Sequence, residues 1–287
     1  MTESRVNYSG ARRSRSRRRR RRLVALVVVL LVAALAAFAG YRLFGPDSSS
    51  ADAPDAARLV TEAADAMGAE GLTMHVASKA DFAAKVGDSS TAGAMEFGGD
   101  MVAPNQMRVR GTLTLPDLPR SAFEMVTVDN GATVYMQVDA VPGGWQRLPA
   151  ETQPTDIDPR ADLLRSVAAA KNVTIVRSEK FNGHECDVVE LQLDVAALEA
   201  SDAGLDLTSS LTNSLQMGPK EISAALAKAA GKRTLWIGKS DHLVYKDQTS
   251  IKVDGGKLGA YEESEIGIFS AFGKPIAPPI EVPADVK

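Results

Sequence analysis

The sequence predicts an α+β fold: a curled antiparallel β-sheet of about ten to eleven strands, a half-barrel covered on its concave face by a few helices, after one N-terminal transmembrane helix. Three observations predict it. Apolar/polar alternation of period two recurs through most of residues 72–269. Asn130-Gly131 and Asn182-Gly183 each join two such stretches, as tight antiparallel hairpins require. Ahead of them, the run Arg17 to Arg22 abuts an uncharged apolar stretch from Leu23 to Tyr41.

That stretch is 19 residues long, which as a helix spans roughly 28 Å, close to the hydrocarbon thickness of a bilayer. Basic residues stay on the cytoplasmic side of a first hydrophobic segment. The expected organisation is therefore a cytoplasmic tail (1–22), a single membrane span (23–41), a Gly/Pro/Ser/Asp/Ala linker (42–53) and one extracytoplasmic domain (54–287). Ala37-Phe38-Ala39 has the small-x-small pattern of a signal-peptidase site, and cleavage after Ala39 would release the domain. The length of the apolar run favours retention as an anchor, since signal-peptide cores are shorter. Residues 1–22 carry ten Arg and one Glu, a net of +9, in a chain of net −3, so the remainder stands at −12. An acidic body excludes nucleic acid as its partner, because phosphate binding needs a basic face.

Within the domain, Ala56, Leu59, Val60, Ala63 and Met67 share one helical face, bounded by Asp52 and Pro54 before and Gly68 or Gly71 after. Leu72, Met74, Val76 and Ala80 then alternate with polar residues, and Met95 and Phe97 resume after Gly87-Asp88-Ser89-Ser90. Met107, Val109, Gly111, Leu113 and Leu115 oppose Arg108, Arg110, Thr112 and Thr114, a strand with one wet face. Strands over 123–129 and 133–139 flank Asn130-Gly131, and 143–148 reads as a short edge strand. Asp158 caps a helix with Pro159 at its first position, Leu163, Leu164, Val167 and Ala168 inward and Lys171 in its final turn. Strands near 173–181 and 185–193 follow. Leu205, Leu207, Leu211 and Leu215 suit a partly helical flap, and Pro219 opens a helix closed by Gly231. Strands over 234–239, 242–253 and 258–269 complete the sheet, and the Pro-rich tail from Phe272 is expected to run extended along an edge.

Catalytic chemistry finds little support. His75, His184 and His242 are isolated, and HExxH, GxSxG, Walker and GxGxxG patterns are absent from the sequence. Cys186 is a lone thiol on a strand, with no internal disulfide partner. Glu262, Glu263 and Glu265 read as a solvated strand face. No enzyme activity, cofactor or metal is expected.

A sheet this long, curled and roofed by helices, makes a concave face too large for its own side chains to fill, and so one suited to an apolar ligand. Six of nine methionines, at 74, 95, 101, 107, 125 and 136, fall in its first half, where flexible thioethers accept varied apolar shapes. The expected lining is Met74, Val76, Met95, Phe97, Met107, Val109, Leu113, Phe123, Met125, Val134 and Met136 from the first strands. Leu164, Val167, Leu191, Leu207, Leu211, Leu215, Ile222 and Leu226 are expected from later elements.

Several segments, in order, carry a family resemblance: Ala63 to Met67, Met95-Glu96-Phe97-Gly98, the Trp145 segment before Asp158-Pro159, Phe181-Asn182-Gly183-His184, Leu235-Trp236-Ile237 and Phe272-Gly273-Lys274-Pro275. Over about residues 52–285 the chain resembles the LolA-like half-barrel proteins, and among them the LppX/LprG-type envelope lipoproteins of actinobacteria. The resemblance implies a hydrophobic cavity that holds acyl chains of a lipid, glycolipid or lipoprotein, for transport or presentation in the cell envelope with an envelope transport partner. The alternative is a membrane-tethered sensor or regulatory domain of the same fold that binds a protein partner. The chain departs from that group in having Gly40 and Tyr41 where an acylated Cys is usual. A retained helix would then replace the lipid anchor.

Overall fold

The computed structural model describes residues 55–86, 89–115, 119–148, 158–200, 218–256 and 259–286. The basic tail, the apolar run, the linker and the segment holding Leu207, Leu211 and Leu215 lie outside the described residues. Among those described, no helix is long and apolar enough to cross a membrane.

The chain runs α1 (Asp55–Met67), β1 (Thr73–Val86), β2 (Ser89–Val102), β3 (Gln106–Thr114), β4 (Ser121–Val128), β5 (Thr133–Val138) and β6 (Gln146–Arg147). It continues through α2 (Pro159–Ala168), β7 (Ala170–Phe181), β8 (His184–Leu193), α3 (Val195–Ala200), α4 (Pro219–Leu226), β9 (Ala230–Gly238), β10 (Val244–Asp254) and β11 (Ala260–Ser270). All eleven strands form one sheet in the order β6-β5-β4-β3-β2-β1-β11-β10-β9-β8-β7. It consists of two meanders joined where β1 pairs antiparallel with β11, Val76 opposite Phe269. Among the described residues β6 and β7 are the two edge strands, so the sheet is an open half-barrel.

Local chemistry explains the helices. In α1, Ala56, Val60, Ala63, Ala64 and Met67 are buried on one stripe. Asp158 caps α2 by accepting a hydrogen bond from the Arg160 amide, with Pro159 at the first helical position. Helix α4 begins after Gly218, whose amide donates to Glu221 at 2.8 Å.

Four details depart from the sequence reading. Lys171 belongs to β7, because α2 ends at Ala168 and the strand starts at Ala170. Gly231 lies in β9, five residues past the end of α4; there a Cβ would come within 2.8 Å of Val195 Cγ2, so the glycine admits α3 rather than ending a helix. The β4–β5 connection is a 3₁₀ turn over Asp129–Gly131, with positive φ at Asp129 and Gly131. The C-terminal tail starts against the centre of the sheet and not on an edge strand. It crosses the start of central strand β1, where Gly273 N donates to Thr73 O at 2.9 Å and Thr73 Oγ1 donates to Lys274 O at 2.8 Å.

Candidate functional site: the inner face of the sheet

Strand alternation and register decide which side chains face the helices. Met95 lies opposite Leu113, Phe97 opposite Gly111, Val109 opposite Met125 and Met125 opposite Met136, so the residues expected from β1 to β5 share one face. They are buried in one cluster with Leu191 of β8, beneath α1, and Leu164 and Val167 of α2 pack against it. Ile222 and Leu226 of α4 belong instead to a second cluster, with Ile251, Val253 and Tyr261. Arg108 and Arg110 lie on the other face and share Glu124, with Arg110 Nε at 3.1 Å from its carboxylate.

The six methionines are all buried, and Met101 lies opposite both Met74 and Met107, as Met125 does opposite Met136. Gly111 sits between Phe97 and Phe123; a Cβ there would lie 2.3 Å from Glu96 O, 2.6 Å from Phe97 Cβ and 2.7 Å from Phe123 Cζ, so these groups occupy the space of its missing side chain. This part of the inner face is densely packed. Toward the middle of β1, β10 and β11 it opens: Phe82, Thr249, Glu263 and Glu265 face inward yet remain partly accessible.

The acidic residues of β11 correct the sequence reading. Glu262 is exposed, but Glu263 and Glu265 point the same way as Tyr261 and Phe269, toward the interior. Tyr261 donates to Glu263 at 2.7 Å and Ser78 donates to Glu265 at 2.7 Å. Burial pushes the Glu265 carboxyl up to about 8, against the Ser78 hydrogen bond and helped by Glu263, Asp247 and Asp162. Burial raises Glu263 as well.

Beside them, Arg233 of β9 is buried and bridges the sheet to α2. Its guanidinium donates to Asp247 of β10, with Nε–Oδ2 3.0 Å, and to Asp162 and Ser166 of α2. Burial alone would lower its pKa, but Asp162 and Asp247 together raise it, so Arg233 stays charged. Arg165, one position before Ser166, is lowered to about 9 by burial and by Arg233. Sequence reading missed this group, since its members lie on three separate elements.

The other face carries an aromatic cluster. Lys246 Nζ stands 4.1 Å from the Trp236 ring centroid, His184 stacks on Tyr245 at 4.0 Å, and Phe272 meets Tyr245 edge-on at 5.4 Å. The tail is thereby fastened to β10. Cys186 is buried here, and burial raises its thiol, which keeps it unreactive. His75 and His184 are exposed strand residues, whereas His242 occupies a turn at φ 56°. Among the described residues no group of His, Cys, Asp and Glu has the arrangement of a metal site.

Fold and inner face together define an open antiparallel half-barrel with an apolar, helix-covered interior. In three dimensions the chain is similar to LprF from Mycobacterium bovis (17% identity, 82% of this chain and 100% of that one, TM-score 0.39). It is similar also to the lipoprotein LppX from Mycobacterium tuberculosis (14% identity, 80% and 100%, TM-score 0.38). A LolA superfamily protein from Nitrosomonas europaea is a further likeness (14% identity, 79% and 96%, TM-score 0.24). Each is a likeness of fold alone. No family model matches the sequence, and no curated protein matches it.

Proposed function

We propose that the domain binds acyl chains of a lipid, glycolipid or lipoprotein on the inner face of the half-barrel, for transport or presentation in the cell envelope, without catalysis. One observation carries this reading: the inner face bears a continuous apolar lining, six of its residues methionine, that runs from β1–β5 to β8 and β9. The apolar residues of β1 to β5 and Leu191, Leu235 and Ile237 of β8 and β9 form one cluster with α1 and α2. Methionine side chains repack at low cost, so the dense part of the face can yield to a hydrocarbon chain. Each square ångström of apolar surface so covered contributes roughly 25 cal/mol, before the ordering cost of the ligand.

The run 23–41 anchors the domain outside the cytoplasm in this reading. Intact chain in washed membranes supports the anchor; a mature amino terminus at Gly40 in soluble extract opposes it. Uptake of a fluorescent acyl probe by the protein, competed by unlabelled lipid, tests the binding itself.

A further inference from the structure

The inner face is not apolar throughout. A polar band crosses four neighbouring strands at one level. On β1, Ser78 lies between Val76 and Ala80; on β11, Glu263 and Glu265 lie between Tyr261 and Phe269; on β10, Asp247 and Thr249 precede Ile251 and Val253; on β9, Arg233 precedes Leu235 and Ile237. Register sets them side by side, Thr249 opposite Glu265 and Arg233 opposite Thr249. The band separates two apolar regions. On one side lies the cluster of Val76, Phe97 and Leu235, on the other that of Tyr261, Ile251 and Ile222.

Packing alone does not call for this band. Leucine at 263 and 265 would continue the apolar face, and burying polar groups costs free energy unless they are satisfied. Asp247 and Asp162 are matched by Arg233, so the ion pair is complete without the glutamates. Glu263 and Glu265 each accept one hydrogen bond from the wall, through Tyr261 and Ser78, and both remain partly accessible from the interior with Thr249. A carboxyl has a second oxygen, and a threonine both a donor and acceptors.

We propose that Thr249, Glu263 and Glu265 form a subsite for the uncharged polar linkage of the ligand, an ester, amide or hydroxyl group, with hydrocarbon on the apolar regions to either side. This rests on the acyl-binding reading above. The surplus of acid over base in the band disfavours a ligand whose buried centre is anionic. Protonated Glu265 donates to a carbonyl oxygen, and the Thr249 hydroxyl adds a second bond.

The test uses the full-length chain in nanodiscs with two photoactivatable probes, a diazirine-bearing monoacylglycerol and a diazirine-bearing alkane, labelled sites being mapped by mass spectrometry. Both probes label the inner face, and Glu265→Leu and Thr249→Val each reduce monoacylglycerol labelling by up to about tenfold, the value of one hydrogen bond, while alkane labelling is unchanged. Glu265→Gln, which keeps a donor, retains labelling.

Raising the pH from 6 to 9 removes the Glu265 proton, the groups facing it being Ser78, Glu263, Asp247 and Asp162, with Thr249 and Arg233 next in register. Monoacylglycerol labelling then falls in the wild type and not in Glu265→Gln. Equal effects of the variants on both probes, or none, overturn the subsite while leaving acyl binding intact. Labelling of the inner face by neither probe overturns acyl binding. Stronger labelling by a diazirine-bearing alkylamine than by the monoacylglycerol also overturns the subsite, in favour of a cationic ligand.

Discussion

Ser78 Oγ on β1 donates a 2.7 Å hydrogen bond to Glu265 Oε1 on β11, inside the fold and across the seam that joins the two meanders. The contact links the first strand of the domain to the last. It also places an ionisable group where water is scarce, and burial there drives the Glu265 carboxyl up to about 8.

A carboxyl held above its ordinary value of 4.5 binds its proton more tightly folded than unfolded. The resulting stability is present below that value and is lost as pH rises through about 8. Glu265→Gln removes this dependence. Between pH 5 and pH 8 wild-type stability in urea should fall relative to the variant, by at most about 1.4 kcal/mol per pH unit. Parallel curves contradict the assignment.

Arg233→Ala should cost about 3–5 kcal/mol, because it leaves Asp162 and Asp247 without their shared cation in the interior. Replacing all three with apolar residues of similar size should recover most of that loss. Denaturant midpoints of the single and triple variants measure it.

The element order, the β7–β8 hairpin and the Asp158 cap were legible because each is written in adjacent residues. Pairing of β1 with β11 was not, since alternation sets a strand's two faces but not its distant neighbour. The inward Glu263 and Glu265 show a second limit. Ile266 and Ile268 lie on the face opposite Tyr261 and Phe269, so β11 has apolar residues on both sides and its pattern alone does not choose. Gly231 misled for a related reason: a glycine after a helical run signals a C-cap, but here the missing side chain makes room for Val195.

Met125→Ala should destabilise by about 2–5 kcal/mol, since Met125 has no exposed surface within the apolar cluster. Arg110→Ala, on the opposite face and paired only at the surface with Glu124, should cost under about 1 kcal/mol. Similar losses at both positions contradict the assignment of faces. Thermal melts of the two variants decide it.

Gly111→Ala should destabilise by about 1–3 kcal/mol, because the added methyl meets the Glu96 carbonyl oxygen and the Phe97 and Phe123 side chains. Phe123→Leu in the same chain should relieve part of the penalty. Non-additive stabilities in that double-mutant cycle confirm the shared space, and additive ones refute it.

Native mass spectrometry of the half-barrel domain, purified without added detergent, tests the central claim most directly. The account predicts a population heavier than the polypeptide by the mass of an acylated molecule, released on organic extraction and restored by added lipid. A single species at the polypeptide mass, unchanged after incubation with acyl lipids, would contradict it.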